Sequence, residues 1–207
     1  MIEKARAGKK VVRLKGGDPL IFGCGFQELE ALELANIPFE VVPGISAGMA
    51  AAAYAGIPIT HRDSASAVAF VTGQERRGKQ NSIHEIPALA KFPGTLIIYM
   101  GTTTVELWSG GLIQYGKSSD TPVAVVRRCT HANQSITLTT LGQVANLVRT
   151  DPPMRPPVVF IVGEVASFSS RFNWFSRQQL TGKTILVTRS EGQSETLTSP
   201  LRELGAE

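Results

Sequence analysis

In Val11-Val-Arg-Leu-Lys-Gly-Gly-Asp-Pro19, a short apolar run gives way to two glycines, an aspartate and a proline. The run at 11–14 is typical of a buried strand, and the residues after it predict a loop. Two glycines let such a loop adopt positive φ and approach a ligand closely, and Asp18 can accept hydrogen bonds from hydroxyl or ammonium groups. Ligands bind open α/β sheets at such strand ends, although the same residues also form plain turns.

Outward from this stretch, helical and extended patterns alternate. The spacing of apolar residues predicts helices at 27–35, at 47–54 behind Ser46 as N-cap, at 105–112 and at 141–149. Apolar or alternating runs predict further strands at 39–42, 68–72, 95–100, 123–126, 135–140 and 158–162. Residues 151–157 hold four prolines, which exclude regular structure there. Strands separated by helices predict an α/β fold.

The character of the chain changes after residue 175. Residues 178–183 are polar and resemble a linker, and residues 184–188 then predict a new strand. Residues 195–204 predict a helix, interrupted or restarted at Pro200. This tail is therefore expected to begin a separate βα unit.

The composition is that of a globular protein, with 43% hydrophobic and 18% charged residues among 207. A net charge of +4 with scattered Lys and Arg suits an acidic small molecule and disfavours nucleic acid. Two distant cysteines and three histidines without metal-ligand spacing predict no disulfide and no metal site. Without a signal sequence or membrane span, the protein is expected to be cytoplasmic.

A second glycine loop, at 42–48, leads from a predicted strand into the Ala-rich helix, whose N-terminus suits polar or anionic groups. The same residues match the G-x-S-x-G nucleophile elbow, which would make Ser46 a nucleophile with Asp63 and either His84 or His131. Short matches of this kind arise easily by chance. We therefore interpret Ser46 as a helix cap.

Two further patterns favour structural interpretations. Residues 111–118 match the P-loop expression, but they follow a helix and precede a strand, which is the reverse of a true P-loop. Gly116 is instead expected to end the helix. Residues 61–63, His-Arg-Asp, invite a catalytic interpretation, but neighbouring residues rarely form the His–Asp contact of a triad. We interpret them as a polar hinge.

Taken together, these segments resemble the uroporphyrinogen-III C-methyltransferases of the tetrapyrrole methylase family. The resemblance covers residues 1–175 and is carried by residues 12–23 (VRLKGGDPLIFG), 41–48 (VVPGISAG), 55–63 (AGIPITHRD), 71–73 (VTG), 99–101 (YMG) and 173–175 (NWF). Several long motifs in the same order are far more specific than any one of them.

The resemblance implies the tetrapyrrole-methylase fold, two α/β subdomains with S-adenosyl-L-methionine (SAM) in the cleft between them. It implies stepwise C-methylation of uroporphyrinogen III to precorrin-2, for sirohaem and cobalamin, by a homodimer. The scattered charges and the lack of a long apolar stretch predict binding to neither nucleic acid nor membrane. The cofactor-binding positions that it implies are Gly16, Gly17, Asp18, Ile21, Ser46, Ala47, Met100 and Cys129. Cys129 stands where the family has glycine or alanine, and Cys24 where it has arginine.

The family's first cofactor loop and its acid–base residues lie upstream of these motifs, so the resemblance implies an incomplete first subdomain and assigns no catalytic residue to this chain. Residues 180–189 resemble the opening strand of uroporphyrinogen-III synthase, which implies a fused protein. The expected divisions are a remnant of the first methylase subdomain at 1–60, the second subdomain at 61–175, a linker at 176–183 and the start of a synthase-like domain at 184–207.

Three alternatives stay open from the sequence. The same fold serves related precorrin methylases and diphthine-type methylases, and a chain without the first loop could be an inactive cofactor-binding fragment. The patterns at 13–19 and 61–63, together with the synthase-like tail, favour uroporphyrinogen III as the substrate.

Overall fold

The computed structural model describes residues 1–74, 86–150 and 152–207. Two compact units divide the chain, which we call the N-terminal unit (Met1–Ala47) and the C-terminal unit (Gly48–Glu207). Their internal structures are given separately. No helix within the described ranges is long and apolar enough to span a membrane.

The N-terminal unit contains the helices α1 (Ile2–Arg6) and α2 (Gly25–Leu34). The strands predicted at 11–14 and 39–42 are wrong: neither segment belongs to a strand ladder in the described part of the chain. Their apolar side chains are not buried either, since Leu14 is 84% exposed and Val42 is 74% exposed. An apolar run supplies a strand's side chains, but only a neighbouring strand supplies its hydrogen bonds.

A five-stranded sheet forms the centre of the C-terminal unit, in the order β1-β2-β5-β3-β4. The strands are β1 (Val68–Thr72), β2 (Thr95–Tyr99), β3 (Pro122–Arg127), β4 (Ser135–Thr140) and β5 (Val158–Val162). All five were predicted, with bounds that agree within one residue. Strand β5 is antiparallel to both β2 and β3, and β1 is parallel to β2. Strands β1, β2 and β3 therefore run in the same direction, and their carboxyl ends lie on the same side of the sheet.

Apolar clusters cover both faces of this sheet, because successive side chains of a strand point to opposite faces. The first cluster packs Leu96, Ile98 and Phe160 against α5 (Val105–Gln114) and α6 (Val144–Arg149). The second packs the opposite face against α3 (Ala47–Ala55), and it includes Ala51, Ala52, Ala55, Ile97, Tyr99, Ala124, Val126 and Val165. The small side chains of α3 allow that helix to lie close to the strands.

The remaining helices are short, apart from the last. They are α4 (Ile86–Ala90), α7 (Ser169–Phe172) and α8 (Glu191–Glu203), with single 3₁₀ turns at Glu164–Phe168 and Phe175–Arg177. Helix α6 begins three residues later than the predicted start at residue 141. Residues 152–157 contain no helix or strand, as the prolines predicted, and Asp151 lies outside the described residues.

Helix α5 ends in the way that its glycine predicted. Gly116 has φ +102°, its N–H donates to the Ile113 carbonyl at 3.0 Å, and the N–H of Lys117 donates to the Leu112 carbonyl at 3.0 Å. These two bonds form a Schellman motif, which satisfies carbonyls that the helix end leaves open. The P-loop match is therefore a helix terminus.

The predicted strand at 184–188 is wrong. Within it, Ile185 donates to the Glu207 carbonyl at 2.7 Å, but no strand forms in the described part of the tail. Helix α8 begins at Glu191, four residues before the predicted start, and continues through Pro200. The proline removes one backbone donor without ending the helix.

Candidate functional site

Two glycine loops of the N-terminal unit are joined by one carboxylate. Asp18 Oδ1 accepts the N–H of Leu20 at 2.9 Å, and its Oδ2 accepts the N–H of Gly44 at 3.2 Å. These backbone hydrogen bonds, that of Leu20 first, lower the pKa of Asp18, because they stabilise its charged form. Asp18 therefore holds the loop after residue 15 against the loop after residue 42.

The two loops cross with their backbones in contact. A side chain at Gly44 would place its Cβ 2.3 Å from the carbonyl oxygen of Gly17, so only glycine fits at residue 44. Gly17 has φ +75°, which an L side chain adopts only with strain. Helix α3 begins at Ala47 immediately after this crossing, as the cap position predicted, with Ser46 only 3% exposed and Ala47 exposed. The N-terminal unit thus brings together the predicted positions on both loops.

An ion cluster lies next to the first loop. Arg13 Nη2 and Lys15 Nζ contact the two oxygens of Glu28 on α2, at 3.1 and 3.2 Å. Hydrogen bonds from Arg13 and then from Lys15 lower the pKa of Glu28. The cluster connects the segment entering the glycine loop to the helix that follows it.

In the C-terminal unit, a second pair of glycine loops follows β1 and β2. A Cβ at Gly73 would lie 2.5 Å from the Cα of Gly101, so these loops also touch through their backbones. Thr104 Oγ1 donates to the Gly73 carbonyl at 2.6 Å, and Trp108 Nε1 donates to the Gly101 carbonyl at 2.9 Å. Between β2 and Gly101, Met100 has φ +53° and is 50% exposed.

Cys129 follows the carboxyl end of β3, on the same side of the sheet as the loop after β2. This is because β2 and β3 run in the same direction with β5 between them. Its neighbours Arg128 and Thr130 both have left-handed backbones, with φ +49° and +74°. The thiol packs against the cluster that contains α3, and burial raises its pKa to about 11. At neutral pH the Cys129 thiol is therefore protonated and packs as an apolar side chain, and it is not a thiolate nucleophile.

Side chains from distant segments bond to the ends of helix α3. At its start, the N–H of Gly48 donates to the Tyr99 hydroxyl at 2.8 Å. At its end, three successive backbone carbonyls accept hydrogen bonds from side chains. The carbonyl of Ala53 accepts from Trp174 Nε1 at 2.9 Å. The carbonyl of Tyr54 accepts from Gln134 Nε2 at 3.3 Å, and that of Ala55 accepts from Ser169 Oγ at 2.8 Å. The sequence singled out only Trp174 among these donors. Separations of 80 to 121 residues leave no local pattern that would reveal the others.

The competing patterns receive structural explanations. His61 Nδ1 accepts the backbone N–H of Asp63 at 3.2 Å and the imidazole lies against Phe168, while the hinge role of residues 61–63 stays a prediction. His131 lies 4.0 Å from a carboxylate oxygen of Glu207, and His84 lies outside the described residues. In the ranges 1–74, 86–150 and 152–207, no group of three or more His, Cys, Asp or Glu residues is arranged to hold a metal ion.

Comparison with known proteins identifies the class to which this architecture belongs. Residues 1–145 match the family described as Tetrapyrrole (Corrin/Porphyrin) Methylases. The chain belongs to the tetrapyrrole methylase family, and its α/β fold is that of the family, as the sequence predicted.

Individual relatives narrow the comparison. The chain is 47% identical over 165 residues to an S-adenosyl-L-methionine-dependent uroporphyrinogen III methyltransferase of Methanosarcina barkeri, covering 80% of this chain and 64% of that protein. It is 44% identical over 209 residues to the porphyrin biosynthesis protein HemD of Ruminiclostridium josui, covering all of this chain and 41% of that protein. The chain thus spans less than two thirds of the length of these curated relatives.

A solved structure with a ligand is also similar. It is the uroporphyrin-III C-methyl transferase of Thermus thermophilus complexed with S-adenyl homocysteine, 33% identical, with a TM-score of 0.68. The similarity covers 80% of this chain and 71% of that one.

Proposed function

We propose that the protein transfers methyl groups from SAM to ring carbons of uroporphyrinogen III, giving precorrin-2. The observation that carries this proposal is the crossing of the Gly17 and Gly44 loops, because the glycines there remain exposed and a ligand can approach their backbone closely. Relatives support the chemistry, since one is named for SAM-dependent methylation of uroporphyrinogen III and another was solved with S-adenyl homocysteine.

The proposed cofactor residues fall into two groups. In the N-terminal unit they are Gly16, Gly17, Asp18 and Ile21 of the first loop with Ser46 and Ala47 of the second. In the C-terminal unit they are Met100 and Cys129. The left-handed backbones at Met100 and on both sides of Cys129 support this assignment, because strained conformations concentrate at functional sites.

The reaction requires positioning above all. SAM would supply the methyl group: its C–S bond would break as the bond to the ring carbon forms in line with it, the bond electrons would return to sulfur, and the methylated ring, now positively charged, would lose a proton. Holding donor and acceptor at near-attack distance accounts for most of what a protein contributes to such a displacement. Backbone-to-backbone contact in the loops and the bonds of Asp18 supply the necessary rigidity.

The substrate carries eight carboxylates, so cationic side chains near the loops would help to bind it. Arg13 retains 55% side-chain exposure while paired with Glu28, which leaves part of its guanidinium available to an anion. The net charge of +4 favours the same substrate class.

The wider organisation is part of the proposal. We infer a cytoplasmic homodimer in which residues 1–60 and 61–175 contribute to two methylase subdomains. Residues 176–183 act as a linker and 184–207 begin a synthase-like domain. The Ruminiclostridium josui relative supports the tail assignment, because its similarity extends over all of this chain.

Methyl transfer tests the function directly. The full-length protein, supplied with uroporphyrinogen III and radiolabelled SAM, is expected to release S-adenosylhomocysteine and form dimethylated product. Binding of SAM without transfer to uroporphyrinogen III would reject the proposed substrate, and transfer to another precorrin would replace it. A protein that binds no SAM would reject the cofactor assignment as well.

A further inference from the structure

Gln134 is a buried polar residue between β3 and β4, with 9% exposure. Its Oε1 accepts the backbone N–H of Thr130 at 2.9 Å, and its Nε2 donates to the carbonyl of Tyr54 at 3.3 Å. A backbone N–H can only donate and a carbonyl can only accept, so these partners fix the orientation of the amide. Gln134 therefore bridges the turn after β3 and the end of α3.

The turn that Gln134 holds is strained. Thr130 is β-branched and has φ +74°, a region that such residues rarely adopt, and Arg128 two positions earlier has φ +49°. Arg128 is fixed by its own N–H, which donates to the Pro157 carbonyl at 3.2 Å. The corresponding bond for Thr130 is the one to Gln134. A strained conformation persists only where its surroundings determine it, and here a side chain supplies that constraint.

Cys129 lies between these two strained residues, so the direction of its side chain depends on the backbone conformation of both. Its thiol packs against the apolar cluster of α3, the helix whose last turn Gln134 also contacts. One amide thus acts on the turn that carries Cys129 and on the helix that contributes to the apolar cluster beside its thiol.

We propose that Gln134 is a positioning residue for the cofactor, which holds Thr130 in its left-handed conformation and thereby fixes the Cys129 wall of the site. The inference rests on the proposed function, because it uses Cys129 as a cofactor contact. It differs from that proposal in assigning a role to a residue that is expected not to touch the cofactor.

The test measures binding of S-adenosylhomocysteine to the full-length protein by isothermal titration calorimetry. Gln134→Met keeps the side-chain length but removes both polar atoms, and we expect it to raise Kd about tenfold. Gln114→Met is the matched control, since Gln114 is an exposed residue at the end of α5, and its Kd is expected to stay within about twofold of wild type. Turnover assays should show the change in KM for SAM, with KM for the tetrapyrrole unchanged.

A second substitution separates positioning from general destabilisation. Glycine adopts positive φ without strain, so Thr130→Gly in the Gln134→Met background is expected to recover most of the lost affinity. A merely structural loss at Gln134 would not be reversed by that change. If Gln134→Met does not fold, Gln134→Glu retains the oxygen that accepts from Thr130 but sets a second oxygen against the Tyr54 carbonyl, so its Kd is expected to rise, by less than about tenfold.

Three outcomes would overturn the inference. These are unchanged affinity in Gln134→Met, no recovery in the double variant, and a tenfold loss in Gln134→Glu. If the wild-type protein itself binds no S-adenosylhomocysteine, the proposed function fails first and takes this inference with it.

Discussion

Cys24 and Cys129 differ in exposure, and this difference predicts their reactivity. Cys24 is exposed, whereas burial raises the pKa of Cys129 to about 11. At pH 8 about one Cys129 in a thousand is a thiolate, which is the reactive form. We expect iodoacetamide to label Cys24 at least tenfold faster, as followed by mass spectrometry of the intact protein. Fast labelling that survives Cys24→Ser and disappears in Cys129→Ser would contradict this assignment.

The raised pKa of Cys129 also predicts how the stability of the folded protein changes with pH. The folded state favours the protonated thiol, so this contribution is complete below pH 9 and is lost as the pH rises towards 11. In the Cys24→Ser protein, labelling of Cys129 should accelerate about tenfold per pH unit between pH 8 and 10. A rate that levels off near pH 9 would show an ordinary thiol.

Asp18 uses both carboxylate oxygens to join the glycine loops, and asparagine offers only one acceptor. Asp18→Asn must therefore turn its amide NH₂ towards the N–H of either Leu20 or Gly44. We expect Kd for S-adenosylhomocysteine to rise about tenfold in calorimetry. The control is Asp63→Asn, which changes an exposed aspartate and should leave Kd as it is. Equal losses in the two variants would remove the structural role of Asp18.

At the scale of an element, the end of α5 offers a paired test on two glycines. Gly116 has φ +102° in the Schellman motif, whereas Gly110 is an exposed residue inside the helix. At either position, an added Cβ would meet no atom within 4 Å. Gly116→Ala is expected to destabilise the protein by about 1 kcal/mol through backbone strain. Gly110→Ala is expected to stabilise it by about 0.5–1 kcal/mol through helix propensity. Urea unfolding measures both, and changes of the same sign would refute this account of the helix end.

The strands show which elements local patterns can predict. Residues 68–72, 135–140 and 158–162 became strands at the predicted bounds, because apolar or alternating runs there meet neighbours in the sheet. Residues 11–14 and 184–188 carry the same kind of pattern without becoming strands. The difference is whether a neighbouring strand is present to pair with the segment, and a local sequence pattern does not show this.

The candidate site divides in the same way. The loops around Gly17 and Gly44 were predictable, because glycine has few substitutes where backbones touch. Gln134 and Ser169 were not, since their bonds to α3 span 80 and 114 residues and their residue types are common. Supporting residues of this kind emerge only from the tertiary structure.

At the scale of the molecule, Gly56 lies where the segment containing Phe172 packs against the end of α3. It has φ +67°, and a Cβ there would lie 2.0 Å from the Phe172 carbonyl oxygen. Gly56→Ala is expected to cost at least about 3 kcal/mol, because backbone must move to relieve the clash. Gly182→Ala, at φ +77° in open space, should cost only about 1 kcal/mol. Thermal unfolding compares them, and similar midpoints for the two variants would show that α3 is not held there.

The capping of α3 also has a consequence in time. Its last carbonyls at Ala53, Tyr54 and Ala55 accept from Trp174, Gln134 and Ser169, all of which are synthesised much later. A ribosome that adds about 5–20 residues per second needs roughly 6–24 s to travel from Ala53 to Trp174. During that interval water must satisfy the end of this helix. The nascent chain therefore completes the capping of α3 only after Trp174 has been synthesised, so the order of synthesis sets when the end of this helix is stabilised.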